Sequence, residues 1–177
     1  MTDSPWVLAI GEAVDEAILM DALVAADEHF ETSSGLLSDL GPECGLDWAL
    51  VGVQHGRRVR ALLPWAPFDA DDSETRDALI DEVEDVDFLF EGAHASWARD
   101  PHTYESGRAF VLWDLMARAD LVIIFYAGQL PDFLRRMARC ARFRNTTVWG
   151  YDTDTGAYTP WHAPHTKRAP LDGTWPV

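Results

Sequence analysis

The apolar run LVIIFY at residues 121–126 constrains the fold of this chain more than any other feature. A strand that is apolar on both faces has to be covered on both faces, which is typical of a central strand in a parallel sheet between helices. Residues 104–118, before the run, and residues 131–141, after it, have apolar residues at helical spacing. The sequence therefore predicts an α/β fold with a buried, mainly parallel sheet.

Weaker strand and helix patterns alternate along the rest of the chain. Short strands are predicted at residues 6–10, 32–37, 59–63 and 146–149, with a minor strand at 86–90. Helices are predicted at 13–30, from Leu46 to a stop at Gly56, and at the acidic segment 69–84, while 91–102 is predicted to be a long loop. We expect one domain over residues 1–150 and a C-terminal tail over 151–177, docked on the domain or partly mobile.

The charge of the chain argues against some classes of partner. Thirty acidic residues against fourteen basic ones give a formal net charge of −16, so we expect neither nucleic acid nor an anionic membrane as a partner. No apolar run reaches the roughly 18 residues that span a bilayer, and residues 1–5 lack the features of a signal peptide, so we expect a cytoplasmic protein. Cys44 and Cys140 are too few for a disulfide framework or a cysteine-built zinc site.

Ligands of an open parallel sheet collect beyond the carboxyl ends of the strands, where loops lead into helix N-termini that bind anions. This principle selects the segments Gly11–Glu12, Ser38–Asp47, 64–68 and Ala127–Gln129. Glycines at positions 11, 41, 45 and 128 would let the backbone approach a ligand closely. The alternative for each glycine is that it only forms a turn.

Two blocks of sequence resemble the YpsA-like branch of the SLOG superfamily, which also includes the LOG phosphoribohydrolases and the DNA-processing DprA proteins. The first block is GLDWA at 45–49 followed by RVRALLPW at 58–65, and the second is YESGR at 104–108 followed by ADLVIIFY at 119–126. The resemblance covers roughly residues 6–150. It implies a Rossmann-like three-layer sandwich with a mainly parallel sheet of about five strands, a nucleotide-derived ligand and commonly a dimer.

The chain departs from the LOG enzymes at the place of their glycosidic chemistry. After the last core strand those enzymes have P-G-G-x-G-T-x-x-E, whereas this chain has YAGQLPDF at 126–133. Only Gly128 remains of the glycines, and the nearest acid is Asp132. The Arg-Lys pair of the preceding helix is also missing, since Leu112 and Trp113 stand there. These differences weaken the phosphoribohydrolase interpretation.

Single residues at the strand ends have a functional and a structural interpretation. Asp47 either contacts a ribose hydroxyl or stabilises its helix through the helix dipole. Arg108 can bind a phosphate through two hydrogen bonds, although an ion pair with Glu105 is the simpler interpretation. Three carboxylates are available for the cleavage of a nucleoside: Asp132, Glu43 and Glu12.

Other reactive or charged side chains have plain interpretations. Cys44 lacks a histidine that the sequence places nearby, so we treat it as a small apolar loop residue. His162 and His165 flank a proline and have no third ligand near them in the sequence, so no metal site is expected there. The arginines between residues 135 and 144 indicate a solvated helix face or a subunit contact.

These patterns and the resemblance predict a binding or sensing protein for a nucleotide, NAD or ADP-ribose type of ligand. The predicted ligand-binding residues are Gly11, Glu12, Ser38, Gly41, Gly45, Asp47, Arg108, Gly128 and Gln129, and the catalytic candidates are Asp132 and Glu43. The alternative is a hydrolase of N-glycosidic or phosphoribosyl bonds with an altered active site. A third hypothesis is an acidic decoy for basic partners. We expect a homodimer, no metal and no further cofactor.

Overall fold

The computed structural model describes residues 4–41, 43–64, 78–88, 101–144 and 146–160. These residues form seven strands and four long helices. In chain order they are β1 (Trp6–Gly11), α1 (Glu16–Phe30), β2 (Gly35–Ser38), α2 (Cys44–Gln54), β3 (Val59–Leu63), β4 (Asp85–Phe88), α3 (Pro101–Arg118), β5 (Leu121–Tyr126), α4 (Asp132–Phe143), β6 (Thr147–Asp152) and β7 (Ala157–Pro160).

The described strands form one sheet in the order β4-β3-β2-β1-β5-β6-β7. All neighbouring strands are parallel except β6 and β7. This confirms the predicted α/β fold and mainly parallel sheet, but the prediction of about five strands is too low. β4 (DVDF) corresponds to the minor strand predicted at 86–90, whereas β7 (AYTP) was not predicted. Both lie at the sheet edges, where a strand buries little apolar surface and leaves a weak sequence pattern.

β5 is the central strand that the apolar run predicts. All six of its residues are buried, and it pairs with β1 on one side and β6 on the other. Its side chains alternate between two cores, which explains why the run is continuously apolar. The core under α1 and α2 includes Leu19, Leu23, Trp48, Ile123 and Phe125, and the core under α3 and α4 includes Leu8, Ile124, Leu115, Met116 and Met137.

β2 begins three residues later than predicted because Asp27 holds the chain just before it. The backbone N–H and the hydroxyl of Ser34 both donate to Asp27 Oδ1, at 2.8 and 2.7 Å. Arg57 pairs with the other oxygen of the same carboxylate at 2.6 Å. The segment predicted as the start of a strand is therefore a turn fastened to the last part of α1.

Several predicted features lie wholly or partly outside the described residues. These are the segment 65–68, most of the helix predicted at 69–84, and the loop predicted at 91–102 except for its last two residues, which begin α3. The sheet continues past residue 150 through β6 and β7, and residues 161–177 lie outside the described chain, so the predicted tail stays a prediction. Among the described helices, none has both the length and the apolarity to cross a membrane.

Gly11 ends β1 at its closest approach to β5. It has a φ of +109°, and a Cβ added there would lie 2.1 Å from the carbonyl oxygen of Phe125. That carbonyl also accepts a hydrogen bond of 3.0 Å from the N–H of Glu12. A side chain at position 11 would therefore push β1 and β5 apart at their carboxyl ends, which form the sheet edge.

We expect Gly11→Ala to lower the free energy of unfolding by about 2–4 kcal/mol, because a strained φ and a backbone clash add together. Gly56→Ala is the matched control. Gly56 has a φ of +64° but open space where a Cβ would lie, so its substitution is expected to cost only about 1 kcal/mol. Chemical denaturation measures both values, and equal losses would show that the contact with Phe125 imposes no constraint.

Candidate functional site

The strand order places three predicted segments at one edge of the sheet. β1 lies between β2 and β5, and all three run in the same direction. Their carboxyl ends are therefore neighbours, about 10 Å across in total because adjacent strands lie about 4.8 Å apart. Gly11 ends β1, Gly41 follows β2 and Gly128 follows β5. The connection after β1 leads to β2 and the connection after β5 leads to β6, in opposite directions along the sheet, and such a switch point is where open α/β sheets bind ligands.

The loop between β2 and α2 is held together by its own side chains. Ser38 is fully buried, and its hydroxyl donates to the carbonyl oxygen of Gly45 at 2.7 Å and accepts from the N–H of Leu40 at 2.9 Å. Leu40 has a positive φ of 48°, so the loop turns sharply at that point. The structure therefore engages Ser38, a predicted ligand residue, in bonds within the loop.

Asp39 is the centre of this loop. Its side chain is only 2% exposed, and its Oδ1 accepts a hydrogen bond of 3.1 Å from the N–H of Gly41. A Cβ on Gly45 would lie 2.0 Å from Oδ1, and a Cβ on Gly41 would lie 2.7 Å from Oδ2. The two glycines make room for the buried carboxylate. Asp39 was not among the predicted site residues, although an aspartate two residues before a glycine at a strand end is a recognisable turn signal.

Arg108 reaches this loop from α3, on the other face of the sheet. Its Nε donates to Asp39 Oδ2 at 2.6 Å, and its Nη2 donates to Glu43 Oε2 at 3.2 Å. The arginine side chain is 20% exposed and the Glu43 side chain is 58% exposed. The side chain of Glu105, the partner considered in the sequence analysis, lies outside the described part of the structure. Within the part of the chain that the structure describes, Arg108 therefore contacts one buried carboxylate and one solvent-facing carboxylate.

The loop after β5 is fastened to the turn between β6 and β7. Gly128 has a φ of +63°, and its N–H donates to Asp152 Oδ1 at 3.3 Å. The N–H of Asp154 donates to the same oxygen at 3.0 Å. Desolvation raises the pKa of the Asp152 carboxyl, but the hydrogen bonds from Asp154, Gly128 and Thr155 outweigh it and hold the pKa below its usual value. The Gly128 amide is thus already bound to a carboxylate of the chain.

The remaining predicted residues surround these two loops. Glu12, Gln129 and Asp132 are exposed at the ends of β1 and β5, and Asp132 pairs with Arg135 at 3.2 Å. Asp47 lies in the first turn of α2, and desolvation raises the pKa of its carboxyl. The fold brings the predicted residues to one edge, although Ser38, Gly41 and Gly45 face the interior of the loop. Within the described ranges, no three histidine, cysteine or carboxylate side chains are grouped as a metal would require.

A small cleft lies at the opposite, amino-terminal edge of the strands. Six of the residues that line it are Trp6, Arg60, Asp85, Asp87, Leu115 and Arg118. Its arginines already have partners, since Arg118 pairs with Asp87 and Asp114, and Arg60 pairs with Glu84 and the ring of Trp6. The N-termini of α1, α2 and α4 point to the carboxyl edge instead. We therefore place the candidate site there.

Comparison with known proteins identifies the fold. No family model matches the chain, and no curated protein matches it. The chain is similar to the structure of DNA processing protein A (DprA) from Streptococcus pneumoniae, with a TM-score of 0.56 and 13% sequence identity. The similarity covers 96% of this chain and 53% of the DprA chain. It is also similar to DprA from Helicobacter pylori, with a TM-score of 0.51, 14% identity and coverages of 82% and 64%.

These similarities show that the chain shares the Rossmann-like fold of the DprA structures. They provide no support for the YpsA-like or LOG branches in particular. The chain spans between half and two thirds of the length of each DprA structure. The identities are too low to carry over an activity or a binding residue.

The prediction that nucleic acid is excluded as a partner, which was based on net charge, is wrong. The H. pylori DprA structure is described by its single-stranded DNA binding mode, so a protein of this fold has nucleic acid as a partner. The error lies in using the total charge of the chain. Binding to phosphates depends on the charges within about a Debye length, roughly 8 Å at physiological salt, and a local surface can differ from the average.

We expect Arg108→Met to lower the free energy of unfolding by about 3 kcal/mol, because it leaves the buried carboxylate of Asp39 without its cation. Arg118→Met is the matched control. Arg118 is half-exposed with two solvent-facing partners, so its loss is expected to cost at most about 1 kcal/mol. Urea denaturation compares the variants, and equal small losses would show that the Asp39–Arg108 pair does not stabilise the loop.

Cys44 is buried at the first residue of α2, and its thiol is expected to be inert in the folded protein. Burial raises the pKa of the thiol well above its usual value, and the carboxylates of Asp39, Asp47 and Glu43 raise it further. The thiolate is then absent at pH 7 to 8 in the native state. Mass spectrometry after iodoacetamide treatment should find Cys44 unmodified when folded and modified in urea. Rapid native modification would contradict the buried placement.

Proposed function

We propose that this chain binds a nucleotide-derived small molecule, of the nucleotide, NAD or ADP-ribose type, at the carboxyl ends of β2, β1 and β5. It acts in this proposal as a binding or sensing protein. The observation that supports it most is the guanidinium of Arg108, held at this edge by the buried Asp39. A guanidinium that is already oriented loses little conformational freedom when it binds a phosphate.

The surroundings of Arg108 suit the rest of such a ligand. Asp47 and Glu12 are exposed carboxylates at the start of α2 and the end of β1. Acidic side chains at this edge of Rossmann-like folds accept hydrogen bonds from ribose hydroxyls. The distance of about 10 Å from the end of β2 to the end of β5 matches a ligand with a phosphate at one end and a sugar or base further along the edge.

Binding has more support than turnover. A general acid needs a carboxyl group that remains protonated near neutral pH, which usually requires an apolar, desolvated setting. Asp132 is 81% exposed and paired with Arg135, and Glu43 is 58% exposed and paired with Arg108. Neither catalytic candidate lies in such a setting. The hydrolase alternative is therefore kept as an outcome of the experiment.

Single-stranded nucleic acid is a second candidate ligand, favoured by the outer side of α4. Arg136 and Arg139 are exposed there, and Phe133 in the first turn is 46% exposed. Arginines combined with accessible aromatic rings are the usual components of surfaces that bind single strands. The site would lie on the helix face rather than at the strand ends.

Thermal unfolding with AMP, NAD and ADP-ribose tests the main proposal. A ligand at about 100 times its Kd stabilises the fold by about 2.7 kcal/mol, which raises the Tm by roughly 5–10 °C. Asp47→Asn should weaken binding about tenfold, because a charged hydrogen-bond partner is lost. Glu28→Gln, which removes an exposed carboxylate from the last part of α1, should bind like the wild type.

The same samples separate the alternatives. Release of free base or nicotinamide that Asp132→Asn abolishes would identify a hydrolase. Binding of a single-stranded oligonucleotide that weakens steeply with salt, and that Arg136→Gln with Arg139→Gln abolishes, would identify the second candidate. A flat Tm with every small ligand overturns the main proposal.

A further inference from the structure

We infer that Glu43 is an internal competitor for the ligand's phosphate, and that a phosphorylated ligand binds Arg108 by taking the place of the Glu43 carboxylate. This inference rests on the proposed function and deepens it, because it identifies which group of the ligand lies at which end of the site. It also assigns Glu43 a role in selectivity rather than in catalysis.

Two carboxylates of the described residues, Asp39 and Glu43, contact Arg108, and they are held unequally. Asp39 is 2% exposed, makes the shorter contact of 2.6 Å and also binds the N–H of Gly41. Glu43 is 58% exposed and contacts Arg108 through one 3.2 Å bond. Exposed ion pairs contribute little to the stability of a fold, whereas separating a buried carboxylate from its cation is strongly destabilising. An incoming anion therefore displaces Glu43 and leaves Asp39 in place.

Glu43 lies at the start of α2 but does not cap the helix with its carboxylate. Glu43 is the N-cap residue of α2, but its side chain makes no capping hydrogen bond. It turns to Arg108 instead. An anion that replaces it would lie beside the guanidinium and close to the positive end of an 11-residue helix, two features that favour a phosphate more than a carboxylate of the chain.

A second hydrogen-bond donor at this edge, the N–H of Gly128, is less available to a phosphate. The N–H of Gly128 is bound to Asp152, and the same Asp152 oxygen also accepts from Asp154 within its own turn. Displacing Asp152 would break the turn between β6 and β7 as well as the contact with Gly128. The phosphate is thus assigned to the Arg108 end, and the sugar and base extend from there along the edge towards β1 and β5.

Isothermal titration of wild type, Glu43→Gln and Glu28→Gln with AMP and with adenosine tests the exchange. Glutamine keeps the size of the side chain and removes its charge. We expect Glu43→Gln to bind AMP about tenfold more tightly than the wild type, because a competing and repelling charge is gone, with adenosine affinity unchanged within about twofold. Glu28→Gln loses the same charge on α1 and is expected to match the wild type for both ligands.

The outcomes distinguish this inference from the proposed function. If AMP binds the wild type and Glu43→Gln binds it equally or more weakly, the exchange is wrong while the proposed function stands. If AMP and adenosine both strengthen in Glu43→Gln, the effect does not concern phosphate and the exchange is again wrong. If neither ligand binds any variant, the proposed function fails and the inference with it. Glu43→Ala, which removes the carboxylate altogether, should reproduce the AMP result if the glutamine variant folds poorly.

Discussion

The buried carboxylate of Asp39 is the interaction on which the candidate site depends. It binds the N–H of Gly41 and the Nε of Arg108, and the glycines at 41 and 45 leave it the space it occupies. α2 and α3 cover opposite faces of the sheet, so the pair of Asp39 with Arg108 joins the two layers across the strand ends. A buried carboxylate that loses its cation is strongly destabilising, which keeps this arrangement in place.

The electrostatics of the edge reconcile a strongly acidic chain with a ligand that carries phosphate. Carboxylates of the chain already bind two of the donors at this edge, with Glu43 on Arg108 and Asp152 on Gly128. Such a site does not attract anions in general, and it admits one only in exchange for an internal carboxylate that is weakly held. A net charge of −16 therefore describes the average surface and not the chemistry of the site.

The parts of the site that could be predicted are those that depend on local sequence. Gly11 and Gly128 were found because they follow apolar strands, and the rule for open parallel sheets then places them at one edge. Ser38 was selected by the same rule, but only the structure shows that its hydroxyl serves the loop. Asp39 was recognisable only as a turn residue, because Arg108, with which it pairs, lies 69 residues away, and Asp152 lies 24 residues from Gly128. No local pattern records such a pairing.

The sequence by itself determined the α/β class and the buried strand at residues 121–126, and it predicts a ligand at the carboxyl edge of the sheet. Those features follow from the periodicity of apolar side chains, which is a property of neighbouring residues. The tertiary structure alone decided that Arg108 is anchored to Asp39, that Glu43 remains exposed beside it, and that β7 extends the sheet. Those features depend on the distances between groups far apart in the chain, because the strength of a charge pair is set by burial and separation and not by position in the sequence.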